Sequence, residues 1–236
     1  MLLLYLLFMV PPMLLALGAQ WWIRSAYQRT SQIPARMSGA MAARRILDAN
    51  GLQNIPIEQS QGHLSDHYDP SGKVVRLSPD VYQGHSIASV GIAAHEVGHA
   101  MQDAKHYAPL VVRNLAVPVA SFGSNISQIF LIAAIGLGTM GMGKLAAGAM
   151  LLFVLGFSAT VVFQLINLPV EFDASSRAKT ELVSLGIVNG QELTQVSSVL
   201  TAAAMTYVAA TLQAVATLAY YLFQYFLQSQ SRRDGY

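Results

Sequence analysis

The chain contains no cysteine. Disulfides and thiolate metal sites are therefore excluded, and any bound metal must be held by His, Asp or Glu. Charge is scarce as well: 11% of the 236 residues are Asp, Glu, Lys or Arg, against roughly 25% in an ordinary soluble domain. Hydrophobic residues make up 53% and the mean hydropathy is +0.43, a balance that points to a membrane protein. The net charge is only +2, with no basic stripe, so no nucleic-acid partner is expected. Internal repeats and low-complexity linkers are also missing.

The charge-poor residues are gathered into runs. Residues 1–23, 114–143, 145–170 and 193–231 carry no charge, and Lys144 stands alone between two of these runs. About 20 mostly apolar residues cross a bilayer, so four spans are expected, near 2–23, 118–142, 145–169 and 204–227. The first lacks a basic leader and is long, which favours an uncleaved anchor over a cleaved signal peptide. The second begins with Ser121, Ser124, Asn125, Ser127 and Gln128, so its first half is expected to face protein. Four spans place 24–117 and 170–203 on the same side. Of the 14 Lys and Arg residues, only Lys144, Arg232 and Arg233 lie on the other side. That bias puts both segments in the cytoplasm and both termini outside.

Within 24–117, residues 35–50 read as a short helix stopped by Asn50-Gly51, and 55–59 as a strand. Residues 63–68 and 73–77 flank Asp69-Pro70-Ser71-Gly72, a turn signal that predicts a hairpin. Ser78-Pro79-Asp80 looks like a helix start, and the helix is expected to run over 80–103. Residues 228–236 read as a frayed polar tail. The strand Val74-Val75-Arg76-Leu77, just ahead of that helix, is a candidate edge for aligning an extended peptide.

The predicted helix carries His95-Glu96-Val97-Gly98-His99, an HExxH pattern. Residues i and i+4 share a helix face, so two imidazoles can grip one zinc from the same side. Glu96 beside them can take a proton from an attacking water and pass it to a leaving amine. By composition alone such a motif arises by chance in roughly three of a thousand chains of this make-up. Small neighbours, Gly91, Ala93, Ala94, Gly98 and Ala100, allow close approach of other elements. A catalytic zinc takes three protein ligands, and Glu171, where charge returns after the third span, is the candidate third; Asp173 and His106 are substitutes. Asp173 is also a candidate hydrogen-bond partner of a ligating imidazole. His85, Tyr82, His67, Tyr68, Arg177 and Tyr207 are chemically able to stabilise a tetrahedral intermediate, and none is assigned that role. His63 and His67 are likewise left unassigned.

The strings Ala93-Ala94-His95-Glu96-Val97-Gly98-His99-Ala100-Met101-Gln102, Gly62-His63-Leu64-Ser65-Asp66-His67-Tyr68-Asp69-Pro70 and Val170-Glu171-Phe172-Asp173-Ala174-Ser175 resemble the YugP-type neutral zinc metallopeptidases of bacterial membranes. The resemblance covers the chain from the first span to about residue 185. It implies a membrane-bound zinc peptidase with one zinc per chain, ligands His95, His99 and Glu171, and Glu96 as base. More distantly the chain is similar to the thermolysin-like group, in which Asp follows the Glu ligand by four residues. Here that position is Ser175, and the Asp stands at 173.

The expected fold is a mainly α membrane protein. About four transmembrane helices accompany a cytoplasmic, zincin-like α+β catalytic region that contains a small β-hairpin. Its parts are an N-terminal span (1–23), the catalytic region (24–117), two spans (118–169), a helical segment with the third ligand (170–203), and a last span with its tail (204–236). The expected partners are a peptide or protein substrate, membrane proteins included, and the lipid bilayer of a bacterial plasma membrane. The alternative reading is a nonenzymatic metal-binding membrane scaffold or assembly factor. An intramembrane protease is disfavoured, because Asp80 and His85 before the motif and Asp103, Lys105 and His106 after it leave too short an apolar run to span.

Overall fold

The computed structural model describes the backbone of residues 2–233 and the side chains of residues 3–227. It is mainly helical, with one small sheet. The order is α1 (Leu2–Ser31), α2 (Gly39–Ala49), β1 (Ile57–Gln59), β2 (His67–Asp69), β3 (Val74–Leu77), α3 (Pro79–Tyr82), α4 (Ile87–Ala104), α5 (Ala108–Thr139), α6 (Gly143–Ser184) and α7 (Gly190–Arg233). Among the described residues, four stretches are helical, long and apolar enough to cross a membrane: Leu3–Ser31, Ala108–Thr139, Gly143–Ser184 and Gly190–Leu227. They overlap all four expected spans: the third and fourth contain theirs, the first runs on to Ser31, and the second starts at Ala108 and stops at Thr139, short of the expected end at 142. Backbone groups in hydrocarbon must be satisfied within the segment, which a continuous helix achieves. The expected polar tail is helical as far as Arg233, and residues 234–236 lie outside the described residues.

The chain divides into two compact units. One comprises Met1–Leu17, Val112–Asn167 and Tyr207–Tyr236; the other comprises Gly18–Val111 and Leu168–Thr206. In the first unit, α5 and α6 cross closely at Gly123 and Gly156, where a Cβ on Gly123 would lie 2.6 Å from the Gly156 carbonyl oxygen. Small residues permit such backbone approach where lipid offers no hydrophobic drive. Phe153 stacks on Phe157 and meets Tyr221 edge-on. Large apolar side chains such as Leu115, Phe122, Ile132 and Leu155 are exposed, as suits contact with lipid.

In the second unit, the Ser38 side chain caps α2 by accepting from Met41 N, and Gly51 at φ +74° stops it. The sheet order is β1-β3-β2. The predicted hairpin is β2 with β3, antiparallel. Its turn is held by Asp69, whose Oδ1 accepts from Ser71 N and Gly72 N. The Gly72 N–H and the Arg76 guanidinium pull the Asp69 carboxyl down to about 2. β1 adds to β3 in parallel, so β3 is central and both its edges are paired. The expectation that β3 aligns substrate is thereby overturned.

The helix expected over 80–103 is broken into α3 and α4. Residues 83–86 bond instead to the segment before α2: Ala35 N donates to His85 O, Ile87 N to Ile33 O, and Gly39 N to Gly84 O. Ser86 then adopts an extended conformation and caps α4, its side chain accepting from Ser89 N. The core of this unit joins Ile46 and Leu47 of α2, Val75 and Leu77 of β3, Val90 and Val97 of α4, Leu182 of α6 and Val196 of α7. α4 is buried on nearly all faces, so its polar side chains must find partners inside the protein.

Candidate metal centre

His95 and His99 stand one turn apart on α4, with ring centroids 4.8 Å apart and planes at 84°. From α6, Glu171 places Oε2 at 3.3 Å from His95 Nε2 and 3.7 Å from His99 Nε2. One ligand atom from each of the three residues lies within 4.8 Å of the others. Ligands about 2.0–2.2 Å from a tetrahedral zinc are roughly 3.3–3.6 Å from one another, close to the two separations from Glu171. The burial fits it too. Glu171 is 4% exposed, and its Oε2 is buried without a hydrogen-bond partner. An uncompensated carboxylate oxygen in the interior is costly, and a cation between the three groups satisfies all of them. Burial by itself lowers the pKa of His99, but Glu171, Glu96 and the Gln102 amide outweigh it, and the net shift is upward. The cluster thus attracts positive charge.

Glu96, also buried, is not among the three. Its Oε2 accepts from Tyr68 N of β2 at 3.0 Å. The Tyr68 hydroxyl donates to Asp103 Oδ2 at 2.6 Å, and Lys73 also bonds Asp103. One tyrosine therefore joins β2 to α4 at two points, seven residues apart along the helix. Burial, then Asp103, raises the Tyr68 pKa.

A family model described as "Putative neutral zinc metallopeptidase" matches residues 5–226. The chain belongs to this family. It is also similar to "Putative membrane protease YugP" of Bacillus subtilis (strain 168), with 45% identity over 203 residues, covering 84% of this chain and 87% of the relative. No solved structure matches the chain. The membrane-protease relative and the four apolar helices mark it as a membrane protein. A zinc metallopeptidase family accords with a donor set of two imidazoles and one carboxylate, a set that catalytic zinc sites use.

In this family member the expected substitutes for Glu171 stand apart. His106 lies just past α4 with φ +48° and is exposed. Asp173 bonds no imidazole directly, contrary to expectation; it accepts from Gln102 Nε2 and from Arg177. Arg177 packs over the Tyr107 ring. His63 pairs with Asp80, His67 with the Ser65 carbonyl and His85 with the Gln83 carbonyl, all at exposed positions. The partners of the two imidazoles went unrecognised in the sequence. His99 Nδ1 meets Gln102 Oε1 at 3.0 Å, and His95 Nδ1 meets Ser175 Oγ at 3.1 Å. Their spacing was the available signal, because Gln102 follows His99 by three and Ser175 follows Glu171 by four, both same-face intervals on a helix.

Proposed function

We propose that the protein is a membrane-bound zinc metallopeptidase that hydrolyses peptide bonds, with Glu96 as general base. The observation that carries this reading is the buried Glu171 carboxylate, unpartnered at Oε2 and facing the Nε2 atoms of His95 and His99, with Glu96 next in the chain to His95. His95, His99 and Glu171 would hold one zinc per chain. When bound there, zinc supplies a Lewis acid that polarises the scissile carbonyl and acidifies water. Glu96 takes the proton from the attacking water and delivers it to the leaving amine. The Tyr68 N–H holds one oxygen of Glu96 and so sets the direction of the other.

The hairpin supports peptide as the substrate class, through β2 rather than β3. Val75 N donates to Pro56 O on the β1 side, so the main-chain groups of the facing Tyr68 point away from β3. Its N–H reaches Glu96. With that N–H taken by Glu96, the Tyr68 carbonyl is the outward main-chain group this edge of β2 offers to an extended peptide beside the general base. The zincin-like assignment of this region rests on that arrangement of edge strand and HExxH helix.

The charge-free run 145–170 ends immediately before Glu171. We place the active site at the bilayer surface on the cytoplasmic side, where membrane-associated and membrane-protein substrates reach it.

Zinc content and proteolysis, measured together on purified wild type and Glu96→Gln, test the reading. Glu96→Gln should keep about one zinc per chain, as its ligands are untouched, and lose cleavage of casein or a membrane-protein substrate. Wild type without zinc, or Glu96→Gln cleaving as well as wild type, would sink the proposal in favour of a scaffold.

A further inference from the structure

Gln102 is fully buried, with 0% exposure, and every polar atom of its side chain is used. Its Nε2 donates to Val170 O at 2.8 Å and to Asp173 Oδ2 at 2.8 Å. Its Oε1 faces His99 Nδ1. A carbonyl oxygen can only accept, and the carboxylate, already taking the Arg177 N–H, accepts as well. Two acceptors on one side of the amide require its NH2 there, so the oxygen must face the imidazole. An amide oxygen accepts only, so His99 Nδ1 must carry a proton. In the neutral ring the lone pair then sits on Nε2, the atom turned toward Glu171.

His95 is held differently. Its Nδ1 meets the Ser175 hydroxyl, which can donate or accept. That contact tolerates either tautomer.

We infer that Gln102 is a positioning residue that locks the tautomer of His99, presenting its Nε2 lone pair to an incoming cation, while His95 is left to adjust when the cation arrives. The purpose of the lock rests on the metal centre proposed above. The Gln102 contact sets the proton on Nδ1 against the pull of the Glu171 carboxylate facing Nε2, and the outcome can be measured without metal.

Ring-nitrogen NMR of histidine-labelled, zinc-free protein at alkaline pH, assigned by the signals lost in His99→Gln and His95→Gln, tests it. Wild type should show His99 protonated at Nδ1 only and His95 as a mixture, with zinc driving both to the Nδ1–H form. Asp173→Asn should keep the His99 tautomer, since Val170 O still demands a donor from the amide. Gln102→Leu should release the tautomer and weaken zinc binding, measured by chelator competition, by about 10–100-fold. An Nε2–H form of His99 in wild type would overturn the proposal, as would a folded Gln102→Leu protein with unchanged zinc affinity. Loss of the tautomer in Asp173→Asn would overturn it too, placing control with the charge rather than with amide orientation. Should wild type hold His99 as Nδ1–H yet bind no zinc, the lock stands and the peptidase reading falls.

Discussion

Gly98 lies against Ala174 so closely that a Cβ on the glycine would be 2.5 Å from the Ala174 carbonyl oxygen and 3.0 Å from its carbonyl carbon. This is backbone against backbone, α4 against α6, between the two histidines and three residues beyond Glu171. No side-chain rotation relieves it. Gly98→Ala must therefore push the helices apart and draw Glu171 away from His95 and His99. Overpacking of this kind costs about 1–3 kcal/mol. The variant should show a lower Tm and zinc affinity reduced by at least about tenfold, a loss of roughly 1.4 kcal/mol. Wild-type zinc affinity in Gly98→Ala would mean that this contact does not set the ligand spacing.

Glu171 and Asp173 are two residues apart on α6 and have opposite predicted weights. Glu171→Ala removes the proposed third ligand and should abolish zinc binding. Asp173→Ala removes a partner of Gln102 and of Arg177 and should weaken it. Stability makes the contrast sharper. A metal that binds only the folded state adds RT ln(1 + [L]/Kd), about 4 kcal/mol at a thousandfold excess over Kd. Chelation should thus lower the Tm of wild type and leave that of Glu171→Ala unmoved. Equal loss of zinc in both variants would make Asp173 a ligand in its own right.

Tyr68 touches α4 twice, through its N–H at Glu96 and its hydroxyl at Asp103. Tyr68→Phe keeps the first contact and deletes the second. A hydrogen bond to a charged group contributes about 1.5–3 kcal/mol, and the low end suits this partly exposed carboxylate. The variant should retain zinc while kcat falls and KM changes little, since β2 is then less firmly held over the general base. Asp103→Asn, whose side chain still accepts from the tyrosine, should lose less activity than Tyr68→Phe. Full wild-type kcat in Tyr68→Phe would reduce the hydroxyl contact to a stability role.

Some of this was legible in the sequence because it is written in long-range absence or fixed spacing. Runs without charge mark the four long apolar helices, and an i, i+4 histidine pair needs only a helix to face one way. Asp69-Pro70-Ser71-Gly72 carries the hairpin turn in its own side chains. Other features depend on tertiary partners. The break at residues 83–86 exists because residues 33–39 supply its hydrogen bonds, and nothing local to Gly84 announces them. The strand expected over 55–59 is present as β1, but its parallel pairing with β3, past β2 in the chain, is beyond any local pattern. Gln102 and Ser175 are neutral polar residues on helices, and their roles arise only from the packing of α6 on α4. Asp173 stands one hydrogen bond further from the imidazole than expected, because the Gln102 amide lies between them and spacing does not announce it.

The lack of cysteine makes sidedness directly measurable, since a single introduced thiol has no competitor. Met41 on α2 and Met140 between α5 and α6 are both exposed large side chains, in segments that the basic-residue bias assigns to opposite sides. With the catalytic region in the cytoplasm, Met140→Cys should react with a membrane-impermeant thiol reagent in intact cells. Met41→Cys should react only after permeabilisation. Neither substitution touches the metal centre, so both proteins should retain zinc and report on working molecules. The bias is strong: of the 14 basic residues, only Lys144, Arg232 and Arg233 fall on the Met140 side. The reverse labelling pattern would move the active site to the outer face and change the substrates within its reach. Labelling of both thiols in intact cells would mean that the number of crossings between them is even, and that one of the four apolar helices does not span.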